Sequence, residues 1–122
     1  MANHDDILTN KQRIESKIQE LEMHREALFN AATKKAQTLS DYRKTKAITI
    51  LKLRNKQIEK FEGVNILYPL QTTIMDSVAS GICFKEVLER YEADALYKGL
   101  ITVMESLKAE LNGLQSINRH LE

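Results

Sequence analysis

Residues 100–121 read LITVMESLKAELNGLQSINRHL, in which Leu100, Met104, Leu107, Leu111, Leu114, Asn118 and Leu121 step by 4, 3, 4, 3, 4 and 3. An apolar residue every 3.5 positions marks a helix that buries one seam against another helix. Leucine stands at every d position, and Met104, Leu111 and Asn118 stand at a. The stretch therefore predicts a helix with a packing or oligomer seam, in which a buried Asn118 would fix register across a symmetric pair. Ile101, Val103 and Ile117 widen the apolar stripe beyond what two strands need, which predicts packing inside a bundle.

Upstream of this seam, Phe84, Leu88, Tyr91 and Ala95 share one helical face, so the terminal helix is expected over 82–121 with a shift of face near Lys98 and Gly99. Gly81 is expected to stop a short helix over 69–80 that Pro69, the sole proline, opens in its first turn. Residues 63–68 read as a connector.

Between Met1 and Glu62 there is neither glycine nor proline. Helix interiors tolerate those two residues worst, so one long helix is predicted over about 5–62, capped by Asp5 or Asp6 and ended by Gly63 in a left-handed conformation. Its apolar positions run Ile7, Ile14, Ile18, Leu21 and Leu28, with Lys11 and Arg25 between them, then Ala32, Ala36, Leu39, Ala47, Ile50, Leu51, Ile58 and Phe61. The helix would measure about 85 Å at roughly 1.5 Å per residue. Ser40 and Asp41 offer the one alternative start for a new helix.

The expected fold class is all-α. A long antiparallel helical hairpin of coiled-coil type carries a short helix at its tip, within one domain spanning 1–122. Setting residue 82 beside residue 61 puts Leu121 near Glu22 and leaves residues 6–20 without an intramolecular partner. That half-apolar overhang predicts a homo-oligomer, with a dimer favoured.

At 122 residues, 43% hydrophobic and 29% charged, the composition suits a water-exposed helical domain, and no apolar run approaches a membrane span. The polar, acidic start, Met1 to Asp6, lacks the pattern of a secretory or transit signal, so a cytoplasmic location is expected. One cysteine, Cys83, forms no internal disulfide and fits a reducing compartment.

The formal net charge of +1 conceals an asymmetry. Residues 34–60 hold nine basic side chains against Asp41 and Glu59. Arg43, Lys44, Lys46, Lys52, Arg54 and Lys56 are the candidate phosphate contacts of a sequence-independent nucleic-acid surface. The alternative is a solvated face that pairs with the acidic start of the last helix, Glu86, Glu89, Glu92 and Asp94. A basic-zipper reading fails because those same acidic residues precede the leucine seam, where phosphate would be met.

No phosphate-binding glycine loop, H-E-x-x-H or G-x-S-x-G motif occurs, so no catalytic residue, cofactor or metal is assigned and the chain is not expected to be an enzyme. The antiparallel hairpin brings Glu20, His24 and His120 toward one end, where Glu and His across facing helices could hold a metal. The functional expectation is self-association and binding of a protein partner.

Lys46-Ala47 to Leu51-Lys52-Leu53-Arg54, a short connector, Ala79-Ser80-Gly81, then Glu92-Ala93 to Leu96-Tyr97-Lys98 ahead of a seam ending Asn118-Arg119 resembles small helical proteins encoded by phages and prophages of Gram-positive bacteria. The likeness covers roughly residues 40–120. It implies a phage accessory role near DNA replication, recombination or defence in the host cytoplasm, and it supplies no active site.

Overall fold

The computed structural model describes residues 4–121; the reading of Met1 to Asn3 lies outside them. The fold is an all-α helical hairpin in which two long helices, α1 (His4–Arg54) and α3 (Phe84–Leu121), pack against each other. Between them come a two-residue antiparallel pair, β1 (Lys60–Phe61) and β2 (Val64–Asn65), and the short helix α2 (Thr72–Ile82). Two compact units result. One joins α1 up to Ala32 with α3 from Ala95; the other is Thr33–Asp94.

Helix α1 stops eight residues before the expected Glu62. Lys56 takes a left-handed conformation (φ 57°), its amide donates to the Leu53 carbonyl (3.1 Å), and the Gln57 amide donates to the Lys52 carbonyl (2.9 Å). This is a Schellman end with lysine where glycine usually stands, so the sequence carries no punctuation there. Gly63 has another task. With Glu62 (φ 50°) it sits at φ 75° in the two-residue turn joining β1 and β2, the twist that short hairpins prefer.

Pro69 precedes α2 by three residues, so it does not open the helix. Gly81 does not stop α2 but lies inside it. A Cβ there would sit 2.6 Å from Phe61 Cζ, so glycine lets the hairpin's aromatic ring lie on the helix. Asp5 and Asp6 occupy the first turn of α1 rather than its cap, where carboxylates suit the helix dipole.

In the first unit, the inward residues of α1 are Ile7, Asn10, Ile14, Lys17, Leu21, His24, Leu28 and Ala31, stepping by 3 and 4. Leu21, Met104 and Leu107 form its buried core, with Leu28 and Leu111 against them. The Asn10 side-chain amide donates to the Leu114 carbonyl (3.0 Å) and lies 3.4 Å from Asn118 Oδ1. The predicted overhang of residues 6–20 therefore does not exist. With α1 ending early, Asn10 lies beside Leu114 and Asn118, and this stretch already has its partner inside the chain.

In the second unit the inward line of α1 is polar: Lys35, Thr38, Tyr42, Thr45 and Thr49, before Leu53. The Thr38 hydroxyl donates to the Lys35 carbonyl (3.1 Å) and that of Thr49 to the Thr45 carbonyl (2.8 Å), so both can be buried on a helix. The expected stripe through Ala36, Ala47 and Leu51 faces solvent. Cys83, just before α3, is buried, and on α3 Arg90 and Ala93 turn inward at a three-residue step, while Phe84, Leu88 and Tyr91 point outward.

This assignment of faces separates two neighbouring leucines, Leu53 fully buried and Leu51 57% exposed. Leu53→Ala is expected to cost about 2 to 5 kcal/mol in urea-induced unfolding and Leu51→Ala within about 0.5 kcal/mol. Equal losses would reverse the assignment.

Candidate interaction surfaces

The densest polar cluster lies in the second unit, where α2 rests on α1. Lys46 Nζ pairs with Asp76 (2.7 Å), and the Tyr42 hydroxyl lies 3.4 Å from that of Ser80. Lys46 and Arg90 stand 5.6 and 5.2 Å from the centroid of the Tyr42 ring. Nearby, Lys35 pairs with Asp94 (3.1 Å). Thr49 Oγ1 touches the buried Cys83 Sγ at 3.3 Å where α2 hands over to α3. The ion pairs and the Tyr42 contacts each join two different helices, so the cluster fixes α2 and α3 on α1.

Electrostatics follow from this geometry. The Ser80 hydroxyl, then Lys46 and Arg90, hold the Tyr42 phenol below its ordinary 10.0, against the opposing effect of burial. Asp76 holds Lys46 above 10.5.

The structure divides the candidate nucleic-acid residues. Lys46 is spent on Asp76 and Tyr42, whereas Arg43, Lys44, Lys52, Arg54 and Lys56 are exposed. Lys44 borders a groove with Asp41, Lys85, Glu86 and Glu89, so that side of the unit carries mixed charge. Lys52, Arg54 and Lys56 cluster at the end of α1. Pairing of the basic stretch with the acidic start of α3 is realised at Lys35–Asp94, and Asp76 of α2 adds a partner that spacing alone did not indicate.

The seam residues fall where an intrachain interface needs them. Met104 and Leu107 are buried, and Leu100, Leu111, Leu114, Asn118 and Leu121 are half-buried along the α1-facing side of α3. The heptad leucines thus serve the hairpin itself. Glu20, His24 and His120 are not brought together. Leu21 packs with Met104 and Leu107, and Asn10 meets Asn118, so His120 lies beside the start of α1, about 20 Å along the helix from His24. His24 faces the seam with Nδ1 buried and unpartnered. No group of three metal-ligating side chains occurs among the described residues.

What the seam leaves outside was not anticipated. Phe84, Leu88 and Tyr91 form an outward row on α3 of the second unit, each between 52% and 65% exposed. Val64 and Leu67 project beside an apolar hollow of about 290 Å³ formed by the hairpin and α2, lined by Phe61, Ile66, Leu70 and Val78. In the first unit Phe29 and Met23 are also exposed. The signal was present in the sequence as surplus apolar residues off the seam, such as Val103 and Ile117.

Because the folded state binds fewer protons at Tyr42 than the unfolded chain just below pH 10.0, that residue's contribution to stability grows as pH rises through its lowered value. Lys46 acts oppositely: its contribution is complete below 10.5 and is lost as pH climbs through its raised value. An absorbance titration is expected to show the Tyr42 phenol ionising below 10.0, and Ser80→Ala to move it upward. A titration unchanged by that substitution would contradict the cluster.

No helix among the described residues is long and apolar enough to cross a membrane. Compared with family models, curated proteins and solved structures, the chain matches none of them.

Proposed function

We propose that this chain is a non-catalytic helical interaction protein that associates with itself and binds another protein through apolar helix faces. The observation that carries the reading is the outward row Phe84, Leu88 and Tyr91, three large side chains in sequence on one face of α3. A helix face with so much apolar surface left in water is the kind that a partner helix covers. The small interior supports the same reading, since Leu53 and Cys83 are the largest fully buried side chains among the described residues. A chain with little buried apolar surface gains stability by sharing surface with another. The likeness of residues 40–120 to phage-encoded early proteins directs the search for that partner toward DNA metabolism or defence.

The second reading, nucleic-acid binding, rests on the exposed Lys52, Arg54 and Lys56 at the end of α1. Salt separates the two. Phosphate binding falls steeply between about 50 and 200 mM salt, whereas apolar association does not.

Size-exclusion chromatography with light scattering, alone and with duplex or single-stranded DNA, is expected to give a species heavier than 14.0 kDa that persists at high salt and excludes DNA. Co-migration with DNA that fails at high salt, and is lost when Lys52, Arg54 and Lys56 are changed to Glu, would replace the first reading with the second. A monomer at every concentration would remove self-association.

A further inference from the structure

Two glycines stand in the interior of α3 without a reason inside the chain. A Cβ added at Gly99 or Gly113 meets nothing within 4 Å, so neither glycine admits an intrachain neighbour, and neither has a positive φ. Each nevertheless costs the helix about 0.8 to 1 kcal/mol relative to alanine. Both lie on the flank of α3 that also carries Leu96, Val103 and Ile117, which remain 40–55% exposed at seven- and fourteen-residue spacings. Around Gly113 the flank is hollowed into a mainly apolar notch of about 420 Å³, reached by Ile117 on one side and by Arg13, Lys17 and Glu110 at its rim.

Resting on the self-association reading above, we infer that this flank of the first unit is where a second copy of the chain docks, antiparallel, α3 against α3. The order along the flank is large, small, large, small: Leu96, Gly99, Val103, Ser106, then Glu110, Gly113, Ile117. Reversed and laid on itself about a two-fold axis near residue 108, it sets Val103 on the second copy's Gly113, Ile117 on its Gly99, and Ser106 on its Glu110. Val103 and Ile117 each meet a glycine, Leu96 falls opposite the second copy's His120, and the Ser106 hydroxyl donates to the carboxylate of Glu110, which Lys17 also holds. The same contacts recur on the other side of the axis, as closed two-fold symmetry requires.

The extent also fits a second copy. Residues 96–117 span about 32 Å, and with the adjoining surface of α1 the face is about 20 Å wide. That is close to the roughly 800 Å² per partner of a standard stable interface.

The test is Gly99→Leu with Gly113→Leu, followed by sedimentation from micromolar to submillimolar concentration and by thermal melting of the dilute protein. Leucine is a good helix former and its Cβ meets nothing within 4 Å at either position, so the dilute melting midpoint is expected to hold or rise. The dimer dissociation constant is expected to rise at least about tenfold. Should the double variant lose helicity, Val103→Glu is the substitute at an already exposed position, with the same expected loss. The pair Val103→Cys with Gly113→Cys should give a covalent dimer on oxidation, with neither single variant doing so. A wild-type dimer unmoved by the leucine or glutamate variants would overturn this face while leaving self-association standing. A wild-type monomer throughout would overturn both.

Discussion

The hydrogen bond from the Gln57 amide to the Lys52 carbonyl, closed around a left-handed Lys56, determines where α1 ends, and the pairing of helices within each unit depends on that ending. Because the chain leaves α1 at Arg54, residues 55–71 have room for a small hairpin and α2 can fold back along α1. Thr49 then meets Cys83 in one unit, and Asn10 meets Leu114 and Asn118 in the other. A helix continued to Glu62 would have displaced these contacts by about two turns and left the start of α1 uncovered.

That pairing puts an uncommon set of side chains in the seam. From Lys35 to Thr49, α1 presents threonines, a tyrosine and a lysine to its neighbours; Thr38 and Thr49 are satisfied on α1 itself, Lys35 and Tyr42 by partners from other helices. Polar groups in such places cost stability unless they are bonded, and when bonded they specify one arrangement over others. The corollary appears on the outside. Phe84, Leu88 and Tyr91 are left in water, because the positions that face α1 are taken by these polar groups and their partners.

Charge is distributed on the same logic. The basic middle of the chain is partly consumed by Asp94 and Asp76, so its formal excess overstates the field available to a polyanion. The fixed pairs hold α2 and α3 against α1, and the surplus is concentrated at the end of α1.

The sequence by itself determined the helical class, the hairpin and the terminal seam. A run without Gly or Pro and a strict leucine heptad leave the backbone few alternatives, and Met104 and Leu107 sit in the core where that spacing put them. It did not determine the end of α1, because a left-handed lysine looks like any other lysine until the chain around it is folded. Nor did it reveal the polar half of the seam, where Thr38, Tyr42 and Thr49 keep the spacing but not the hydropathy. Gly81 read as a stop and proved to be a seat for Phe61, a role that exists only once the hairpin lies on α2. Tertiary structure decided which surplus apolar residues remain in water, since exposure depends on what the other helices cover, and one-dimensional periodicity carries no record of that.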